Sequence, residues 1–279
     1  EGGRGSGAAA PHPVRAAAAA GSRWRDVLIT GASSGLGRAL AEACAAPGVT
    51  LHLSGRDAGR LDGVAAACIA RGATVRPAVL DVTDAAAMAA WVTGAGRLDL
   101  VIANAGVSGG TGGLTEPASQ ARIIFDTNVI GVLNTVLPAL PLMAAQAPGA
   151  DGVRGRVAVI ASLAAFVAAP GAPAYCAAKS AVQRWAEALD ATGRGCGVRL
   201  HAVCPGYVRT PMTARNSFFM PWLMSPERAA TRSLAGIAAG RVRVVYPRRL
   251  YALARLVGAL PPAWRNALMS VVPAKQRSD

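Results

Sequence analysis

Tyr175 and Lys179 stand four residues apart in AYCAAKSAVQRWAEALDATG, a stretch whose composition predicts a helix over 174–193. Four residues make one turn, so both side chains leave the same face. A free phenol holds its proton to about pH 10. An ammonium beside it favours the phenolate and lowers that value, which makes tyrosine a usable acid or base near neutrality. Such a pair alone also fits an ordinary exposed helix face. Ser162 changes the reading. It ends the apolar run RVAVIAS, thirteen positions before Tyr175. Its hydroxyl can hydrogen-bond the carbonyl or alcohol oxygen that Tyr175 protonates or deprotonates.

A second chemical feature is VLITGASSGLG at 27–37, an apolar run that enters three glycines and then LGRALAEACAA. The run predicts a buried strand and the Ala- and Leu-rich segment a helix. Glycines between them permit a tight turn and close approach of a ligand to the backbone, while the helix start offers unpaired N–H groups to a pyrophosphate. A dinucleotide site and a plain glycine turn both fit these residues, and a Gly-rich turn by itself does not separate them. At the next such corner the sequence reads Leu53-Ser54-Gly55-Arg56-Asp57. Dinucleotide folds that select NAD often carry an acid there; here Gly55 replaces it and Arg56 can hold a 2′-phosphate, which favours NADP(H) over NAD(H). The other reading of Arg56 is a solvated loop charge, and Asp57 reads as a helix N-cap.

These groups need a scaffold, and the chain alternates. Strands are predicted at 49–54, 74–80, 98–103, 156–162, 198–204 and 242–247 after the first. Helices are predicted at 57–71, 84–95, 118–147 (with proline irregularities), 174–193 and 226–239. This implies an α/β fold, a Rossmann-like doubly wound parallel sheet of about seven strands with helices on both faces. Ligands of such sheets bind beyond the carboxyl ends of the strands. There the sequence places Asp81-Val82-Thr83, Asn104-Ala105-Gly106, Ser162 and Pro205-Gly206-Tyr207-Val208-Arg209-Thr210. The apolar windows 127–149 and 157–178 contain prolines and asparagines and read as core elements rather than membrane spans.

Composition narrows the classes. Five scattered cysteines without a C-x-x-C pair, and three histidines far apart, favour a reducing, cytoplasmic compartment and no metal site. The net charge is +14, yet residues 24–227 carry 16 basic and 13 acidic side chains, whereas 228–278 carry 10 basic and none acidic. The excess is local and lacks interleaved aromatic and basic motifs, so nucleic acid is not an expected partner. Residues 1–23 form a Gly-, Ala- and Pro-rich arm that is expected to be disordered. Residues 24–247 are expected to form one dinucleotide-binding domain, and 248–279 a basic amphipathic C-terminal extension.

Taken in order, Thr30-Gly31-Ala32-Ser33-Ser34-Gly35-Leu36-Gly37, Asn104-Ala105-Gly106, Asn128, Ser162, Tyr175-x-x-x-Lys179, and Pro205-Gly206 followed by Thr210 resemble the signatures of the short-chain dehydrogenase/reductases over about residues 25–247. The resemblance implies that Tyr175 is the general acid of ketone reduction and the base in reverse. Lys179 lowers its pKa and holds the nicotinamide ribose, and Ser162 orients the substrate oxygen. Asn128 keeps a local helix irregularity and a water linking Lys179 to solvent. Thr30, Gly31, Ser33, Ser34, Gly35, Leu36 and Gly37 form the cofactor turn. Asp81 and Val82 meet the adenine, Asn104, Ala105 and Gly106 line the adenosine side, and Pro205, Gly206, Val208 and Thr210 contact the nicotinamide end. It further implies a homodimer or homotetramer.

The segment 212–224, MTARNSFFMPWLM, is dense in aromatic and Met residues and suits a lid over a bulky apolar ketone or alcohol, lipid-like ones included; packing on the domain or on another subunit fits it equally. In 248–273, Leu250, Leu253, Val257 and Leu260 repeat at helical spacing beside Arg248, Arg249 and Arg255, and Pro261-Pro262 opens a second helix with Trp264, Leu268 and Val271. Docking on the domain and binding an anionic membrane surface both fit this pattern. Besides a carbonyl reductase or alcohol dehydrogenase, the sequence leaves open a non-catalytic NADP(H)-binding redox sensor and a membrane-surface scaffold.

Overall fold

The computed structural model describes residues 23–216 and 218–270. The arm at 1–22 and the last nine residues, Val271 among them, lie outside the described residues. Seven strands form one sheet: β1 (Asp26–Ile29), β2 (Thr50–Gly55), β3 (Thr74–Val79), β4 (Leu100–Ala103), β5 (Gly155–Ile160), β6 (Val198–Pro205) and β7 (Arg243–Tyr246). Their order is β3-β2-β1-β4-β5-β6-β7 and every pairing is parallel. The helices are α1 (Gly35–Cys44), α2 (Ala58–Ile69), α3 (Ala85–Thr93), α4 (Ala118–Phe125), α5 (Gly131–Ala144), α6 (Pro173–Gly193), the short α7 (Pro211–Ala214), α8 (Pro226–Ala238), α9 (Arg248–Ala259) and α10 (Pro262–Ser270). A 3-10 turn spans Leu163–Phe166.

The central strands are apolar on both faces, as a sheet covered twice requires. All of β4 and β5 is buried, and Leu28 and Ile29 of β1 are fully so. Two apolar layers result. One packs α1, α2 and α8 against the sheet through Leu40, Leu61 and Leu234; the other packs α3, α5 and α6 through Met88, Val136 and Val182. β3 differs from the central strands. Its residues alternate between exposed and half-buried, and it carries Pro77, which only an edge position tolerates without losing a ladder hydrogen bond.

Side-chain caps start the helices that follow β2 and β3. Asp57 Oδ1 accepts from Arg60 N at 2.9 Å, and Asp84 Oδ1 accepts from Ala87 N at 3.0 Å. The irregularity in the long helical stretch does not sit at the prolines. Pro138 and Pro141 lie inside α5, and the break is a π turn at Asp126–Ile130, where Thr127 and Asn128 are buried. Among the described residues, the continuous stretch Ala118–Ala144 is the one long and apolar enough to cross a membrane, and 44% of its apolar window is buried inside the fold.

The reversal of strand order between β1 and β4 opens a crevice at their carboxyl ends. Every turn that carries a chemically suggestive residue arrives at this edge.

Candidate active site

The turn after β1 is built so that only glycine fits. Gly31 has φ +65°, and a Cβ there would sit 2.7 Å from Ala105 Cα. A Cβ on Gly37 would run into the Gly31 carbonyl oxygen, which fixes how closely α1 approaches the strand end. Ser34 caps α1 without a side-chain hydrogen bond, so the first N–H groups of that helix face the crevice unpaired. This is a cradle for a phosphate: bare backbone donors at the positive end of a helix, with no side chain in the way.

Thr30 does not line the crevice. It is buried beneath, and its hydroxyl accepts from Asn104 N at 3.1 Å and Ala105 N at 3.2 Å. Asn104 Nδ2 in turn donates to the carbonyls of Thr30 and Gly31 at 3.0 and 3.1 Å. These bonds lock the two switch-point turns together. Gly31, Ser33, Ser34, Gly35, Leu36, Gly37, Arg56, Asp81, Val82, Asn104, Ala105 and Gly106 line one side of the crevice; Ser162, Tyr175, Lys179, Pro205, Gly206, Val208 and Thr210 complete it.

Three of those groups converge. Ser162 and Tyr175 are hydrogen-bonded through their side chains, and Lys179 Nζ lies 5.9 Å from the centre of the Tyr175 ring. Ser162 Oγ also accepts from Ala164 N at 3.1 Å, which anchors it at the start of the 3-10 turn. Lys179 Nζ donates to the Ile160 carbonyl at 2.8 Å, a link from α6 to the end of β5. Asn128, in the π turn, braces the opposite wall. Its Oδ1 accepts from Val107 N at 2.8 Å and its Nδ2 donates to the Val107 carbonyl at 2.9 Å. A Cβ on Gly106 would meet Asn128 Oδ1 at 2.9 Å and Lys179 Nζ at 3.4 Å, so these three positions form one packed corner. Asn128 therefore positions the wall rather than lining the crevice.

The electrostatics depart from the expectation that Lys179 lowers the phenol. Burial pushes the Tyr175 hydroxyl up to about 12, and the hydrogen bond with Ser162 offsets only part of this. Burial also pushes the Lys179 ammonium down to about 8. Each charged form loses water, and the ammonium is turned to Ile160 rather than to the phenol oxygen. The phenol of Tyr175 thus keeps its proton across the neutral range.

Arg56 is not a free loop charge. Its Nη1 lies 3.7 Å from Asp81 Oδ2 across the mouth of the crevice. Hydrogen bonds from Thr83, the backbone one foremost, together with Arg56 hold Asp81 below the usual carboxylate range. Arg60, in the first turn of α2, lines the same end. Helical spacing carries no signal for it, since Arg56 lies in the loop before the Asp57 cap.

On the other side of Ser162 and Tyr175 lies an apolar cavity of about 310 Å³. Its walls include Leu163, Met212, Phe218, Leu250 and Val257. Two of these belong to α9, so the inner face of the C-terminal extension docks on the domain. The contact is close: a Cβ on Gly258 would run into the Phe166 carbonyl. The Phe166 ring meets Tyr251 edge-on at 5.0 Å and has the Arg243 guanidinium 5.3 Å from its centre. The contribution of α9 to this cavity is a tertiary fact that periodicity did not reveal.

The family model for short chain dehydrogenase matches residues 25–218. The chain belongs to the short-chain dehydrogenase family. An uncharacterized oxidoreductase of Myxococcus xanthus is 39% identical over 245 residues, covering 85% of this chain and 93% of the relative. A Burkholderia phymatum short-chain dehydrogenase/reductase solved in complex with NAD superposes with a TM-score of 0.74 at 25% identity, covering 91% of this chain and 98% of that one. A Sphingobium yanoikuyae short-chain dehydrogenase solved with NADPH gives 0.73 at 27% identity, covering 91% and 99%. This short-chain dehydrogenase is an oxidoreductase of hydroxyl and carbonyl groups that uses a nicotinamide cofactor, and the phosphate cradle fits that group.

Proposed function

We propose that this enzyme reduces a bulky apolar ketone, or oxidises the matching alcohol, with NADP(H), and that Tyr175 is its general acid and base. The observation that carries the reading is the meeting of two unlike chambers at one hydrogen-bonded pair. A crevice with phosphate donors and arginines lies on one side of Ser162 and Tyr175, and an apolar cavity on the other.

The bound nicotinamide would give or take the hydride. Ser162 would hold the substrate oxygen by its hydroxyl. Tyr175 would deliver its phenolic proton to that oxygen as the carbonyl carbon receives hydride, leaving a phenolate that regains a proton from solvent. Lys179 would stabilise that phenolate and hold the ribose hydroxyls, and the Asn128 brace would keep Gly106 and Val107 clear of the ring. Three features support NADP(H). Arg56 and Arg60 line the crevice beyond β2 and could both meet a 2′-phosphate bound there. A Cβ on Gly55 would come 3.0 Å from Ser33 Cβ, so an acid at 55 would crowd Ser33. The carboxylate of Asp57 is already engaged by Arg60 N and by Arg60 Nη2 at 3.1 Å. We further propose a reducing, cytoplasmic compartment, in keeping with five scattered cysteines that lack a C-x-x-C pair.

The test is NADPH oxidation against a panel of apolar ketones, long-chain 3-keto compounds included. Tyr175→Phe lowers kcat by about 10²–10⁴-fold, the usual contribution of a general acid, with NADPH affinity kept. NADPH gives higher kcat/KM than NADH, and Arg56→Ala removes most of the difference. Full activity in Tyr175→Phe, or equal use of both cofactors by the unmutated enzyme, overturns the corresponding part.

A further inference from the structure

Away from the crevice, residues 222–268 carry several arginines outside any ion pair and several exposed apolar side chains. A groove between α8, β7 and the start of α9 is lined by Arg228, Arg232, Arg241, Arg248 and Arg249, with no acidic residue. Among the described residues none of the five makes an ion pair. Trp222 and Leu223 line the same groove and are exposed. Arg249 shares a helix face with Leu253 and Leu256, four and seven residues on, and both leucines are exposed. The next helix, α10, shows Trp264 and Leu268 one turn apart; Trp264 is 70% exposed.

We propose that this face binds an anionic lipid surface. The arginines meet the headgroups, and Leu256, Trp264 and Leu268 enter the boundary between headgroups and acyl chains. The charge pattern selects this occupant. A two-fold contact with a second copy through the groove would set five unpaired arginines against the same five. An acidic protein would satisfy the arginines but leave large apolar side chains on two short helices facing water. A headgroup layer over hydrocarbon satisfies both. Leu253 also lines the apolar cavity, together with Met269 of α10, so the cavity rim is continuous with the proposed lipid-facing surface. An apolar ketone dissolved in the bilayer then reaches Tyr175 without crossing bulk water. That last step rests on the proposed ketone chemistry; the surface binding does not.

Co-sedimentation of the full chain with phosphatidylcholine vesicles, with and without phosphatidylglycerol, tests it. The chain pellets with phosphatidylglycerol vesicles and stays in the supernatant with phosphatidylcholine alone. Replacing Leu256, Trp264 and Leu268 together by Ser, or Arg248 and Arg249 by Gln, lowers the vesicle-bound fraction constant about ten-fold or more. All five sites are at the surface, and thermal melting confirms that the variants are folded. Three results overturn the proposal: no pelleting with either vesicle, equal binding by the serine variant, or a serine variant whose mass in solution falls, which would show that a second copy covers the face. Sedimentation needs no turnover, so its failure is distinct from a failure to reduce ketones.

Discussion

At the residue scale, the proton-holding groups are set by burial more than by one another. Tyr175 keeps its proton to about 12, while Lys179 sheds its own near 8. The proposed reduction needs the phenol protonated and the ammonium charged. The first condition holds through pH 10; the second is met below pH 8 and is lost as pH rises through it. The rate of NADPH-dependent reduction is therefore level from about pH 6 to 7 and falls by about half near pH 8. A pH–rate profile checks this, and a first alkaline limb near 12 would assign the loss to the phenol instead. The chemical pair was legible in the sequence because four residues on a helix fix a shared face. The balance of burial was not, because it depends on what packs over α6.

At the element scale, the 3-10 turn at 163–166 joins the reacting pair to the tail. Ser162 caps it, and α9 packs on its end through Gly258 and the Phe166–Tyr251 contact. Gly258→Ala places a methyl group where the Phe166 carbonyl lies, so α9 must shift. We expect a stability loss of about 1–3 kcal/mol, in the range of overpacked contacts, read from chemical denaturation. Because α9 walls the cavity, KM for a large ketone rises while NADPH affinity stays as it was; cofactor affinity falling in step would place the damage in the crevice. Strand and helix positions followed from apolar runs and periodicity within a few residues. The π turn at Asp126–Ile130 lies at Asn128, where the resemblance implied a helix irregularity; periodicity does not show it, and Pro138 and Pro141 are accommodated within α5.

At the scale of the whole molecule, the α4–α5 stretch leaves Ile123, Phe125, Ile130 and Leu137 exposed. Such a run suits a second copy, consistent with the proposed homodimer or homotetramer. Light scattering is expected to give a multiple of the 28.1 kDa chain mass, and Ile123→Glu with Leu137→Glu to reduce it to one chain. An unchanged mass in the double variant would place the contact elsewhere. This surface carries no excess of charge, unlike the arginine groove, and the contrast separates a face suited to a copy from one suited to lipid.

What the sequence determined by itself is the order of elements and the chemistry at their ends. Local spacing sets which side chains share a helix face, and buried parallel strands leave an apolar signature. Glycines mark where backbone must pass close to something. Tertiary structure decided what distant segments do to one another. It put Thr30 beneath the crevice as a clamp on Asn104, paired Arg56 with Asp81, and brought α9 from the end of the chain to wall a cavity beside Ser162. These outcomes depend on contacts between residues tens of positions apart, which no local periodicity encodes.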